Sequence, residues 1–187
     1  KPVYIFIGIP GSGKDTQAKL LAQKLKLPHV DAGSTFREII QKKLKYWEYI
    51  EQTYTHSLPI PSDMFFKIMA EKFMSEDCSR GFILSQNTKS VEEATDLQKL
   101  LNELGFELKH VYYLTLDRDE AVRRAIKRLD GKFTEKEPDE ATLVKRIDNY
   151  VQIVPTIVDY YRGLGVLVEI DGTQSVETIA QQVEQRA

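Results

Sequence analysis

Residues 8–17 read Gly8-Ile9-Pro10-Gly11-Ser12-Gly13-Lys14-Asp15-Thr16-Gln17. Gly8, Gly13 and Lys14 satisfy the spacing G-x-x-x-x-G-K, and Asp15 stands where a hydroxyl residue commonly follows the lysine. This composition suits one chemistry. Glycines let successive backbone N–H groups turn inward around an anion, a helix N-terminus adds partial positive charge, and the lysine adds a full one. An apolar run, Val3 to Ile7, precedes the motif and an amphipathic segment, Ala18 to Leu25, follows it. Strand, spacing, lysine and helix are all in register, so the stretch is a phosphate-binding loop rather than a plain glycine-rich connection.

Further cations recur along the chain. Asp31-Ala32-Gly33-Ser34-Thr35-Phe36-Arg37 follows a second short apolar run, with Ser34 as a plausible N-cap and Arg37 in the first helical turn. Arg37 either grips an anion bidentately or lies on the surface. Arg124 and Arg128 sit four apart and share one helix face, with Glu120 one turn before Arg124. On composition alone a solvated face is the plainer reading of that helix. Ser90 and Glu93 form S-x-x-E, a capping box that gives Glu93 a structural role.

The elements that must position these residues are short apolar strands alternating with helical patterns. Val3–Ile7, His29–Val30, Phe82–Leu84, Val111–Leu116 and Val166–Ile170 read as strands of a parallel sheet with helices on both faces. In such sheets ligands bind beyond the C-terminal strand ends. Residues 44–58 hold Tyr46, Trp47, Tyr49, Tyr54 and His56, either a substrate-covering arm or a helix pair with aromatics packed on one side. Ser62 caps the next helix, whose Met64, Phe65, Ile68, Met69 and Phe73 recur at core spacing. Pro155 kinks or splits a long helix that begins at Glu140. Ser175 caps the terminal helix.

The whole composition narrows the function classes. The 187 residues fit one domain, and a net charge of −2 with 29% charged residues provides no basic field for nucleic acid or an anionic membrane. The lone Cys78 suits a reducing compartment and leaves no disulfide framework. His29, His56 and His110 lack ligand-like spacing, so a metal held mainly by protein side chains is not expected. No apolar run reaches membrane-spanning length.

Together these pieces resemble the adenylate kinase family of nucleoside monophosphate kinases along nearly the whole chain. The resemblance rests on GIPGSGKDTQ, the A-G-x-x-x-R segment ending at Arg37, and G-F-I-L at 81–84. R-x-x-x-R at 124–128, K-R at 145–146 and D-G-T at 171–173 support it. It implies a three-layer α/β/α fold with a five-stranded parallel sheet across residues 1–187. It also implies a monophosphate-binding arm near 32–62 and a short lid near 129–139. The implied reaction is magnesium-dependent transfer of the terminal phosphoryl group of ATP to a nucleoside monophosphate by a cytoplasmic monomer. Such transfer needs two charged phosphates held in line and cations around the charge that develops between them.

By this resemblance Lys14 and the N–H groups of Gly11, Ser12, Gly13, Asp15 and Thr16 hold the donor phosphates, and Thr16 supplies the magnesium-side hydroxyl. Arg37 binds the acceptor phosphate, and Arg124, Arg128 and Arg146 bind donor and transferring phosphates. Ala32, Leu58, Pro59, Ile60, Lys89 and Glu93 line the acceptor, and Gln174 lies near the donor base. Departures stand beside these matches. Asp15 replaces a glycine, Ser85 an aspartate that helps to hold magnesium through water, Lys89 an arginine, Glu135 another arginine in the lid, and Pro138 a lid aspartate. The departures motivate a rival reading, a nucleotide-binding domain with weakened or lost catalysis. Ala32 is similar to pyrimidine-nucleotide members, and Glu93, an acceptor-only group, matches guanine's N–H donors. The acceptor base therefore stays open.

Overall fold

The computed structural model describes residues 1–187 except 55, 57, 59, 86, 87, 131 and 133–138, and except the side chain of Tyr54. Five strands, β1 (Pro2–Ile7), β2 (His29–Val30), β3 (Phe82–Ser85), β4 (Glu107–Thr115) and β5 (Leu167–Asp171), form one sheet. Their order is β2-β3-β1-β4-β5 and every neighbouring pair is parallel. Parallel strands covered on both faces need continuous apolar runs. Val3, Ile5 and Phe6 of β1 and Phe82, Ile83 and Leu84 of β3 are accordingly almost fully buried.

Helices α1 (Lys14–Leu25), α2 (Ala32–Lys42), α3 (Trp47–Tyr54) and α4 (Ser62–Phe73) occupy the first part of the chain, and a 3-10 turn at Glu76–Cys78 leads into β3. Helices α5 (Val91–Glu103), α6 (Arg118–Leu129), α7 (Glu140–Gly163) and α8 (Val176–Glu184) follow. One core face gathers Val3, Ile5, Phe36, Ile68, Leu97 and Ile147, and the opposite face gathers Phe6, Ala18, Leu21, Tyr112, Leu114 and Ile179. The chain is an α/β fold with this sheet at its centre.

Several local expectations change. The N-cap of α2 is Asp31, which accepts from the Ser34 N–H at 2.8 Å, so Ser34 lies inside the helix and Arg37 in its second turn. Pro61, not Ser62, precedes α4, and the Ser62 hydroxyl is turned away to Glu93. β4 starts four residues earlier than its apolar run, because Glu107 and Lys109 alternate with buried Leu108 and point outward. Pro155 does not split α7, which runs unbroken for 24 residues. Pro155 and Val151, whose carbonyl loses its helical donor, both lie on the exposed face where water can take that role. Thr156 meanwhile satisfies the Ile153 carbonyl at 2.8 Å. Ser175 does cap α8, accepting from the Thr178 N–H at 3.1 Å.

Candidate active site

Residues 8–13 leave the C-terminal end of β1 and enter α1 at Lys14. Gly11 and Gly13 both have φ +90°, a left-handed conformation that side chains with a Cβ resist. The tightness is real at Gly11, where a Cβ would lie 2.7 Å from the Ala121 carbonyl of α6. At Gly172, in the turn after β5, a Cβ would lie 2.6 Å from the Thr115 carbonyl and 3.3 Å from that of Ser12. The loop is thus wedged between α6 and the turn after β5. The Ser12 hydroxyl is buried and has no hydrogen-bond partner among the described residues.

A cleft of about 320 Å³ opens over this loop, lined by Gly11, Gly13, Lys14, Asp15, Thr16 and, from α6, Arg124 and Arg128. Helix α6 is set in place by Asp117, which caps it by accepting from the Asp119 N–H at 2.8 Å. Arg124 is oriented twice. Its Nε donates to Glu120 Oε1 at 2.6 Å and its Nη1 to the Gly172 carbonyl at 2.9 Å. Glu120 also accepts from Arg123, and the two arginines, Arg123 first, pull its carboxyl down to about 2. The face read as solvated therefore holds a pinned arginine beside the loop.

Lys14 keeps only 13% of its side-chain surface exposed, and its ammonium donates to Asp15 Oδ2 at 3.3 Å. Surrounding protein works against ionisation of the Asp15 carboxyl. The charge of Lys14, hydrogen bonds from Ser85 and Lys14, and His29 outweigh it, so the carboxyl stays below its ordinary range. Ser85 ends β3 in register with Phe6 of β1, and its hydroxyl lies 2.8 Å from His29 Nε2 at the start of β2. An ionised carboxylate only accepts, so a hydroxyl beside Asp15 can support its charge only by donating. Burial lowers the His29 pKa, with Asp31 and Asp15 opposing that shift. His29 is the residue that sequence reasoning did not bring to the loop, whereas Ser85 entered as a missing aspartate. Only the sheet order, with β2 beside β3, reveals that the two meet.

The other predicted residues among those described do not line this cleft. Arg37 is exposed on α2 and Arg146 on α7, and both have interaction partners. Lys89 is exposed between β3 and α5. Its backbone N–H donates to Glu93 Oε2 at 2.7 Å, while Glu93 Oε1 accepts from the Ser62 hydroxyl at 2.8 Å. Only half of the capping box forms, since Ser90 accepts from the Glu93 N–H but the Glu93 carboxylate reaches Lys89 and α4 instead. Ala32 begins α2, and Leu58 and Ile60 lie between α3 and α4, with Leu58 exposed. Gln174 donates to the Asp171 carbonyl at 3.3 Å and accepts from Gln182 at 2.8 Å. Pro59, Glu135, Pro138 and most of the lid stretch lie outside the described residues.

A larger cleft, about 650 Å³, lies between α2 and α4. Its lysines are already met by acids, Lys72 by Glu38 and Asp77, and Lys45 by Glu71. It has little spare charge for a phosphate, unlike the smaller cleft with Arg124 and Arg128. Among the described residues no group of three metal-ligating side chains occurs, and no helix is long and apolar enough to cross a membrane.

A family model described as adenylate kinase matches residues 6–166. An adenylate kinase of Thermosipho africanus is 28% identical, with 96% of each chain covered. One from Azobacteroides pseudotrichonymphae is 29% identical over 96% of this chain and 93% of its own. One from Archaeoglobus fulgidus is 26% identical over 96% of this chain and 95% of its own.

Proposed function

The chain belongs to the adenylate kinase family, and from that premise we propose that the cleft over residues 11–16 receives ATP and delivers its terminal phosphoryl group to a nucleoside monophosphate. It is a nucleoside monophosphate kinase. The observation that carries the site reading is the meeting of the glycine loop and Lys14 with Arg124 and Arg128 in one cleft. The names of its relatives put AMP first among acceptors.

The loop N–H groups and the α1 terminus take the donor's β- and γ-phosphates, with Lys14 as a nearly buried point charge. Arg124, pinned by Glu120 and Gly172, presents its remaining N–H groups toward the cleft, and Arg128 adds a second fork one turn on. Arg37, Lys89 and Arg146 form the acceptor side, with Ala32, Leu58, Pro59, Ile60 and Glu93 near its base and Gln174 near the donor base. Those placements need the arm (32–62) and lid (129–139) to close over the substrates, which also excludes water. The residues suit magnesium. Asp15, Thr16 and Ser85 are hard oxygen donors beside the loop, and the unpartnered Ser12 hydroxyl faces into the same turn. Magnesium, when bound with the nucleotide, would supply charge that neutralises its phosphates. We further read the protein as a cytoplasmic monomer, a reading consistent with its single, buried cysteine.

The test mixes the protein with ATP, magnesium and AMP, GMP, CMP or UMP in turn and follows diphosphate formation. Turnover far above a Lys14→Ala control is expected, with AMP leading. Nucleotide binding without transfer to any acceptor would favour the weakened-domain reading, which the Lys14–Asp15 contact makes concrete.

A further inference from the structure

Two departures from the usual phosphate-loop pattern lie near each other in space. Such enzymes hold the nucleotide's magnesium with a loop hydroxyl and a carboxylate at the end of a neighbouring strand. Here Thr16 keeps the hydroxyl, the residue before it is Asp15 in place of a glycine, and the strand that pairs directly with β1 ends in Ser85. The carboxylate has moved from the strand end to the loop. We propose that Asp15 supplies the carboxylate facing the divalent cation of the bound nucleotide, with Ser85 as its hydroxyl partner and His29 as the residue that positions Ser85.

Three observations carry the relocation. Asp15 lines the cleft at the first turn of α1, with 52% of its side chain open toward the space where a nucleotide's phosphates would lie. Ser85 is 5% exposed at the end of β3, and its hydroxyl is near enough to Asp15 to help hold that carboxyl below its ordinary range. His29 Nε2 lies 2.8 Å from Ser85 Oγ and so fixes the position of that hydroxyl. The titratable and charged groups that face this set are Lys14 on α1, Asp31 at the N-cap of α2 and Lys19 on α1. A carboxylate beside phosphates repels them in the absence of a metal, and a divalent cation between the two reverses the sign of that interaction. The arrangement therefore makes nucleotide binding depend on the metal more steeply than Lys14 alone would.

This inference rests on ATP being the donor, and its test needs no turnover. ATP affinity is measured by calorimetry with excess magnesium and again with EDTA, for the native protein, Asp15→Asn, Ser85→Asp, and the double variant Asp15→Gly/Ser85→Asp. Manganese binding in the presence of ATP is followed in parallel by electron paramagnetic resonance. The ratio of the two ATP affinities should fall about tenfold in Asp15→Asn, within the range for losing a group that supports a metal. Affinity without metal should rise in the same variant. The double variant, which puts the carboxylate back on the strand, should recover most of the ratio and the manganese signal. Should Asp15→Asn not fold, Asp15→Ser reads the same ratio. An unchanged ratio in Asp15→Asn, or affinities that rise equally with and without metal, would overturn the proposal and leave Asp15 as a neutraliser of Lys14. A native protein that binds ATP in neither condition would remove the donor-site reading, and this proposal with it.

Discussion

Two alanine substitutions in the phosphate loop separate backbone strain from collision. Gly11 and Gly13 share φ +90°, but a Cβ at Gly13 meets nothing within 4 Å while one at Gly11 lies 2.7 Å from the Ala121 carbonyl and 3.3 Å from its Cα. The left-handed conformation costs an L residue about 1–2 kcal/mol, offset by about 0.4–1 kcal/mol from a stiffer unfolded chain. Gly13→Ala should therefore destabilise the nucleotide-free protein by about 1 kcal/mol. Gly11→Ala carries the same strain plus overpacking against helical backbone, which adds about 1–3 kcal/mol.

For a chain of this size each kcal/mol moves Tm by about 2–4 °C. Thermal unfolding in EDTA should then show Gly13→Ala lower by about 3 °C and Gly11→Ala by about 6–12 °C. The second effect should reach function. Ala121 lies one turn before Arg124 on α6, so relief of the collision shifts the arginine that Glu120 and Gly172 hold in the cleft. ATP affinity in Gly11→Ala should fall more than that change in Tm alone would produce. Equal melting temperatures for the two variants would refute the wedging of the loop against α6.

Three other outcomes test separate parts of the structure. Lys89→Arg should lower the KM for the acceptor monophosphate, since a fork replaces a point charge; an unchanged KM and rate would place residue 89 away from that phosphate. Pro155→Ala should raise stability by about 2 kcal/mol, because an N–H returns to the exposed face of α7 and a ring clash goes, less the stiffness lost from the unfolded chain; a lower Tm would count against that accounting. Lys72 bridges Glu38 and Asp77 at 3.1 and 2.8 Å; burial opposes its charge, yet the two acids raise its pKa, while Lys42 and Lys72 lower that of Glu38. For Asp77 burial again opposes, and Lys72 and Ser75 win. Depressed acids contribute stability above the usual carboxylate range and lose it as the pH falls through their lower folded values, whereas the raised lysine loses its share only in strong alkali. Urea unfolding at pH 6 and pH 3 should thus show a smaller acid loss in Lys72→Met than in the native protein, and equal losses would count against the cluster.

The sheet was legible in the sequence because parallel central strands must be largely apolar, as Val3–Ile7 of β1 and Phe82–Leu84 of β3 are. The loop was legible because its glycines and lysine are local and spaced. β4 was partly hidden, since its first residues alternate with water-facing charge. The cap of α2 was misplaced because Asp31 and Ser34 are both good caps, and only the backbone tells which one is extended. Glu93 shows a different limit. The S-x-x-E spacing is satisfied, yet a hydroxyl 31 residues away takes one of its oxygens, and no local pattern contains that partner.

The same limit explains why Asp15 and Ser85 read as two losses when taken one at a time. A carboxylate in a phosphate loop is a repulsive oddity, and a serine at a strand end is a missing ligand. Parallel strands bring their C-terminal ends to one edge, so residues separated by whole helices become neighbours there. β1 lies beside β3 and β3 beside β2, which sets Ser85 2.8 Å from His29 and close to Asp15 at the start of α1 although His29 and Ser85 are 56 residues apart. A substitution at either position alone would leave a charge unpaired or a metal unsupported. Their adjacency makes each the physical complement of the other, and the Asp15→Gly/Ser85→Asp variant asks whether moving the charge back across that contact restores the same dependence on metal.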